Sequence, residues 1–592
     1  MALNILGKHY RWGHPHQEKT KVINIGAPAL DPRPRQTKGT HTPRLKQSDR
    51  TAASVHHLNT MTSLSNVSSK YKDLVKTSIL ISGGCPKIYQ LKPKKDNIGT
   101  VTRMTVGERS LNRPNKTVLL VGETGSGKST LINALFNHMM GVTWEDKVWF
   151  EIVKEEKTSD QKVSQTSDVI MYQIFGDEGN APPFSLTIID TPGFGDTRGT
   201  ERDTKVSERL LGLFRADDGV HSIHAVGLVL KSSDNRLSDR LLYAFNSVMS
   251  LFGKDMEKNI VALVTQSNGL TPKNALDALE GAKIKCAVNK KNQPTHFLFD
   301  NLQKTERTEE EEFIVEHVWK ISKRGMKQFT AFLDEITPQT LDETVRVLNE
   351  RVRLTACIKN LQERIYVKEL KRREIQQKQE AVRECKEMMR ENKKYSGHVE
   401  VPYKIKKDLP TGGWGLFKYS GAVCCTSCEE NCHYPCSVSW TAGMCEVMKK
   451  GRCTVCSGKC PAWSHVKNKW RYVTESKRVP YTNKEMKEEF EKNKLAGDEE
   501  ENLLETLKDQ ETKMMEEERP LLDEAYQHVI SLQKIALNVD SVSTYVLYDF
   551  LIEKMSERGD QEKVQKLKEM KDKADQQTKS GAAYVRNTLK VV

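Results

Sequence analysis

Residues 76–340 predict an α/β domain on a mostly parallel sheet with one antiparallel hairpin, and three observations carry that prediction. Short β-rich runs alternate with amphipathic helical stretches, the pattern of strands joined by crossover helices. A glycine-rich loop joins an apolar strand to an amphipathic helix in "TVLLVGETGSGKSTLINAL", an arrangement whose backbone amides can wrap a phosphate. Two strand-like runs, Val169 to Phe175 and Ser185 to Asp190, are joined only by "GDEGNAPP". So short a link cannot hold a helix, so the two runs pair antiparallel.

Taken in order, residues 1–75 show no periodicity and read as a disordered basic arm, with 12 Lys/Arg against 4 Asp/Glu. No dense basic cluster forms in it, so a solvated arm is expected. It could touch an anionic membrane surface, but it offers no specific nucleic-acid site. A strand-like prelude, "SILISGGCPKIYQL", leads into the domain. Strands are expected at Thr117 to Val121, Val169 to Phe175, Ser185 to Asp190, His224 to Leu230, Ile260 to Val264 and His296 to Phe299. Helices are expected after the first of these and at about 201–214, 236–252, 272–285 and 308–335. In 341–396, Val347, Leu354, Ile358, Leu361 and Ile365 step by sevens, fours and threes, which predicts a coiled coil running into a charged long helix. A cysteine-rich module fills 397–482. An α-helical region, 483–592, is broken at Pro520, carries an apolar stripe at Leu521, Ala525, Val529, Leu532 and Ala536, and is expected to fray from Lys571 onward.

The 592 residues exceed one ordinary domain, and 37% hydrophobic against 29% charged residues, with net charge +14, argue against a membrane protein. No apolar run reaches the roughly 18 to 20 residues that span a bilayer. The N-terminus lacks an apolar h-region, position 2 is Ala rather than Gly, and the C-terminus carries no prenylation cysteine, so neither a secretory leader nor a lipid anchor is expected. A cytoplasmic location is the expectation.

Gly122, Gly127, Lys128 and Ser129 satisfy the phosphate-loop pattern. Gly122, Glu123, Thr124, Gly125, Ser126, Gly127, Lys128, Ser129 and Thr130 would cradle the phosphates; Lys128 would reach the β/γ-phosphates and the Ser129 hydroxyl would ligate Mg²⁺. In "FSLTIIDTPGFGDTRG" an apolar strand ends at Asp190, which would hold Mg²⁺ through water, and the Gly193 N–H would sense the γ-phosphate. A further Mg²⁺-binding hydroxyl belongs before the hairpin, where Thr166 is chosen over Ser164 and Thr158. Strand, polar loop, hairpin and "DTPG" follow the order of regulatory GTPases rather than of motor ATPases.

On "GETGSGKSTLINAL" and "IIDTPGFGDT", residues from about 115 to 335 resemble the septin-related P-loop GTPases: the septins, the immunity-associated nucleotide-binding proteins and the chloroplast import GTPases. The wider layout, over most of residues 80–490, resembles an animal group expanded in fishes in which the same domain precedes a cysteine block. The resemblance implies GTP and Mg²⁺ as ligands, dimerisation across the nucleotide, and a base-selecting T/N-x-x-D motif. That motif falls on "IVALVTQSNG", with Thr265 at its start and Asn268 where the carboxylate would stand. An amide matches the guanine N1–H and N2–H₂ donors less well than a carboxylate, at a cost of roughly 1 to 3 kcal/mol. Phe194 stands where small GTPases place a water-orienting Gln, so intrinsic hydrolysis should be slow. Arg198 and Arg202 could stabilise charge in cis or in trans.

Nine of the thirteen cysteines fall between Cys424 and Cys460. The candidate zinc ligands are Cys425, Cys428, Cys432, His433, Cys436, Cys445, Cys453, Cys456, Cys460 and His465. C-x2-C hooks place two thiolates on one ion, and "CTSCEENC" and "CTVCSGKC" form an internal repeat. Two zinc ions need eight ligands, fewer than the candidates present; Cys424 is the weakest ligand, and either His433 or Cys436 would be spare. Disulfides or reactive thiols are the alternative, and protein binding suits such a module better than ubiquitin transfer. The resulting expectation is a nucleotide-dependent switch or assembly scaffold with slow or dimerisation-dependent GTP hydrolysis, oligomerising through the GTPase domain and the coiled coil. Its zinc module would meet an unidentified protein, and a role in innate defence is implied by the immunity-associated relatives. A structural scaffold that holds nucleotide without hydrolysing it is the alternative. An ATP-using enzyme would require ATP to outcompete GTP.

Overall fold

The computed structural model describes residues 69–110, 112–153, 168–176, 182–192, 200–390, 394, 396–409, 421–437, 439–485, 488, 512, 519–538 and 542–573. The strands in chain order begin with β1 (Ile79–Ser82), β2 (Lys87–Gln90), β3 (Lys94–Ile98), β4 (Val101–Val106), β5 (Asn115–Val121), β6 (Val148–Glu151), β7 (Ile170–Ile174) and β8 (Ser185–Asp190). They continue with β9 (Ser222–Ile223), β10 (Ala225–Lys231), β11 (Ile260–Thr265), β12 (His296–Leu298) and β13 (Gln339–Thr340). After a short helical turn at Lys72–Lys76, the longer helices are α1 (Lys128–Met139), α2 (Thr200–Arg215), α3 (Asp239–Met249), α4 (Lys273–Gly281), α5 (Glu312–Glu335) and the 49-residue α6 (Asp342–Arg390). They are followed by α7 (519–535), α8 (Val542–Glu557) and α9 (Gln561–Lys573).

The central sheet has the order β12-β11-β10-β5-β8-β7-β4-β3. From β12 to β8 every pairing is parallel, and β7 turns antiparallel against β8. A second hairpin, β3 with β4, extends the edge beyond the one that the short link predicts. β5 shows why the P-loop is rigidly held. Leu119 and Val121 enter the core on one face with α2, α3 and α4, while Val118 and Leu120 enter the core on the other with α1 and α5. That alternation is the period-two pleat of a strand buried on both sides. A smaller sheet, β1-β2-β6, is fastened to α1 by two buried amides. Asn137 exchanges hydrogen bonds with both backbone groups of Phe150, and the Asn133 Oδ1 accepts from Ile152 and Val153.

The apolar stripe on α6 is covered within the chain, which corrects the coiled-coil expectation. Val347, Leu354, Ile358 and Leu361 are buried in one core with the cysteine module and with Leu521, Ala525, Val529, Leu532 and Ala536. A helical stripe reports only that a face is apolar; here the nearest cover is the same chain. Three stretches with separate sequence signatures therefore share a core. Farther along α6, Ala381 packs on Val399 and Tyr481 of a ribbon formed by β14 (Ser396–Asp408) and β20 (Trp470–Thr482), paired without a slip from Ser396–Thr482 to Asp408–Trp470. Within the loop of this ribbon lie β15 (Gly421–Cys425), β16 (Glu430–Cys436), β17 (Met448–Lys449), β18 (Arg452–Cys453) and β19 (His465–Asn468). The helical order that was expected to end near Lys571 continues to Lys573, and Lys571 pairs with Asp549. No helix among the described residues is long and apolar enough to cross a membrane.

Candidate nucleotide site and metal centres

The loop after β5 is shaped by its glycines. Gly125 and Gly127 sit at φ +83° and +93°, and a Cβ on Gly122 would lie 2.6 Å from the Val229 carbonyl oxygen. Only glycine fits such a turn without strain. Lys128 opens α1 and donates from Nζ to the carbonyls of Gly122 (2.7 Å) and Glu123 (3.0 Å). Burial pushes its ammonium below the usual lysine range, while Asp190 and Glu123 pull it back up. Ser129 and Thr130 occupy the first turn of α1. The Ser126 hydroxyl is buried inside the cradle with no hydrogen-bond partner among the described residues. A turn with no room for a Cβ at Gly122, an inward lysine and an unmet buried hydroxyl fit a phosphate chain.

Asp190 ends β8 fully buried, and the neighbouring Thr191 Oγ1 donates to the Leu120 carbonyl at 2.8 Å, locking β8 beside the P-loop strand. Thr265, at the end of β11, donates to the Ser126 carbonyl at 2.7 Å. These two ties bring Asp190 and Thr265 to the phosphate loop, at the carboxyl ends of the parallel strands where α/β folds bind ligands. Asn268 is exposed, and its Oδ1 accepts from the Leu270 N–H at 3.1 Å. Thr166, Ser164, Thr158, Gly193, Phe194 and Arg198 lie outside the described residues, and Arg202 falls in the first turns of α2.

Residues not read from the sequence also face this site. Arg240 donates to Thr124 Oγ1 at 3.2 Å, and Ser238, the N-cap of α3, donates to Glu123 Oε2 at 3.1 Å. Asn301, at φ +76°, places Nδ2 3.4 Å from the Gly127 carbonyl and buries its Oδ1 with no partner among the described residues. No local motif marks these positions, because their approach depends on which loops meet at the sheet's end.

None of the thirteen cysteines forms a disulfide. The candidate ligands gather in three groups, each with its donor atoms within 4.8 Å of one another: Cys425, Cys428, Cys456 and Cys460; Cys432, Cys453, Cys456 and His465; and His433, Cys436, Cys445 and Glu446. The two repeats interlock. The hook of each takes the third cysteine of the other, Cys460 for Cys425 and Cys428, and Cys432 for Cys453 and Cys456. Cys456 belongs to two groups, and Cys424 lies outside all three with its Sγ towards Asn431. The expectation of two ion sites with a spare His433 or Cys436 is thereby changed, since both residues belong to a third group. Its fourth donor, Glu446, is not read from the sequence. Thiolate and imidazole sets in near-contact suit a borderline-soft divalent ion. Hydrogen bonds with Cys445 and His433 hold the Cys436 thiol down at about 4, and contacts with Cys432, Cys456 and His465 hold Cys453 well below the thiol range. Despite burial, which would raise it, the His433 ring and the Arg215 guanidinium hold the Glu446 carboxyl at about 2.

Residues 116–348 match the AIG1 family. Septin-5 of Homo sapiens is 33% identical over 82 residues, 14% of this chain and 19% of that protein. GTP-binding protein A of Dictyostelium discoideum is 27% identical over 163 residues, 28% of this chain and 30% of that one. The chain thus spans about a fifth to a third of the length of these relatives. The crystal structure of Toc33 from Arabidopsis thaliana in complex with GDP and Mg²⁺ superposes with TM-score 0.27 at 15% identity, covering 38% of this chain and 88% of that one. The P-loop domain of this chain, residues 116–348, is therefore related to the AIG1 and septin group of GTPases.

Proposed function

We propose that this chain is a GTP-binding switch or assembly scaffold whose nucleotide domain bears on a zinc-holding module. The observation that carries it is the P-loop cradle, with Lys128 on the Gly122 and Glu123 carbonyls and Asp190 buried beside it. Lys128 would draw the β/γ-phosphate oxygens inward; Ser129, Asp190 and Thr166 would hold Mg²⁺, which when bound neutralises charge on the phosphates. Hydrolysis would be slow, because Phe194 cannot orient water. A second copy of the chain docking across the nucleotide could supply what it lacks, as the septin relationship suggests. The module presents Trp440, Met444 and Trp463 at 81%, 64% and 85% exposure, a surface that supports its meeting a protein partner.

Calorimetric titration of the full chain with GTP, GDP and ATP in Mg²⁺ tests this reading. GTP and GDP should bind more tightly than ATP, and Lys128→Ala should lose nucleotide at least about 100-fold while keeping its fold. Unchanged binding in Lys128→Ala would overturn it. Phe194 favours a second reading, a scaffold that keeps its nucleotide uncleaved. Multiple-turnover phosphate release that disappears in Lys128→Ala supports the switch; none at any protein concentration supports the scaffold.

A further inference from the structure

We propose that His433, Cys436, Cys445 and Glu446 form a third metal centre for a zinc-like divalent ion, and that Glu446 couples its occupancy to the nucleotide domain. The coupling rests on the nucleotide reading above; the centre itself does not.

The spacing of the group is close to that of a coordination shell. Tetrahedral bonds of about 2.0 to 2.3 Å put neighbouring ligand atoms about 3.3 to 3.8 Å apart. Here His433 Nδ1 lies 3.1 Å from Cys445 Sγ and 3.4 Å from Glu446 Oε2. Cys445 Sγ lies 3.5 Å from Glu446 Oε2 and 3.9 Å from Cys436 Sγ. The Glu446 side chain is only 1% exposed. A buried carboxylate oxygen facing sulfur at such range is repulsive unless a cation or a proton stands between them. With two sulfurs and an imidazole converging on the same point, a metal ion satisfies all four.

The other carboxylate oxygen faces away from the group. Glu446 Oε1 accepts from Arg215 Nη1 at 2.6 Å, and Arg215 also bonds Asn349 of α6. Arg215 is the last residue of α2, the helix that begins shortly after the Gly193 segment expected to answer to the γ-phosphate. A second tie runs beside it: Ser437, next to the ligand Cys436, donates to Glu208 of α2 at 2.6 Å. Arg353 Nε holds the Glu446 carbonyl at 2.7 Å, so the carboxylate has little freedom to follow one neighbour without the other. Metal binding fixes Glu446 and, through it, the C-terminal end of α2. By linkage, the factor by which the bound ion changes the affinity for a nucleotide is the factor by which that nucleotide changes the affinity for the ion.

The full chain, purified with zinc and counted by native mass spectrometry, decides the first half. Three ions per chain are expected, two on the Cys456-sharing pair and one here, with Cys436→Ser falling to two. Two in the wild type, or no loss in Cys436→Ser, overturns the centre. For the coupling, GTP and GDP are titrated into the wild type, Cys436→Ser, Arg215→Met and the double variant. Arg215→Met should keep three ions. Each single variant should shift the GTP-to-GDP affinity ratio by about fivefold or more, and the double variant no further than the larger single one. If Cys436→Ser does not fold, Arg215→Met and Glu208→Gln carry the same comparison. A wild type that binds nucleotide while the variants match it overturns the link alone, whereas a wild type that binds none overturns the nucleotide reading with it.

Discussion

At the scale of the residue, the nucleotide site depends on atoms that leave room and atoms that reach into it. Gly122→Ala places a methyl carbon 2.6 Å from the Val229 carbonyl oxygen and 2.8 Å from Ser126 Oγ. Neither neighbour is the free end of a long side chain, so the loop itself must shift. We expect a loss of about 1 to 3 kcal/mol in urea titrations and loss of nucleotide binding; an unchanged midpoint would show that the loop is pliant. Asn268 poses the opposite question, of a missing charge at an accessible position. Asn268→Asp should raise the preference for GTP over ATP by roughly 5- to 100-fold in competition binding. No change would mean that base selection lies elsewhere, with Asn301 beside Gly127 the first place to look.

At the scale of the element, α5 and α6 each present one face that tolerates no change. Gly325 of α5 sits so close to β12 that a Cβ would come within 1.9 Å of the Leu298 carbonyl oxygen. Gly325→Ala should therefore cost about 2 kcal/mol or more, as overpacking against backbone does, read from the thermal midpoint. On α6, Leu354 is 1% exposed, in a core shared with the module and α7. Leu354→Ala should cost about 2 to 5 kcal/mol, and the loss should not depend on protein concentration, because the contact is made within one chain. A concentration-dependent loss would return that stripe to an intermolecular coil.

At the scale of the whole molecule, two cores meet along α6. Leu341, just before the helix, and Leu348 in its early turns lie in the core of the central sheet, and Val347 lies in that of the module. The segment after α7 closes the junction: Lys285 Nζ holds the Leu537 carbonyl, and Arg351 holds the carbonyls of Ser250 and Asn538. Because the module core is lined by cysteines gathered as candidate ligands, chelation should loosen it selectively. Hydrogen exchange should rise across 421–468 and 519–537 within minutes of adding a strong zinc chelator, with Ser185–Asp190 and Ile260–Thr265 still protected. Equal protection before and after would mean that the metal contributes nothing to this core.

What the amino-acid sequence determined by itself is whatever local physics dictates. The glycines and lysine of the P-loop, the antiparallel turn forced by a short link, the strand ending at Asp190 and the paired cysteine hooks are written within a few residues of one another. The tertiary structure alone decided what covers the α6 stripe, since an apolar face does not specify its partner. It also decided that the two cysteine repeats interlock, and that β14 and β20 pair, although both are charged and lie on opposite sides of the module. Above all it placed Glu446 between a cluster of thiols and Arg215, 231 positions away. A lone glutamate becomes a ligand or an ion-pair partner only through what the folded chain sets beside it, because coordination and charge pairing act over ångströms of space and not over sequence.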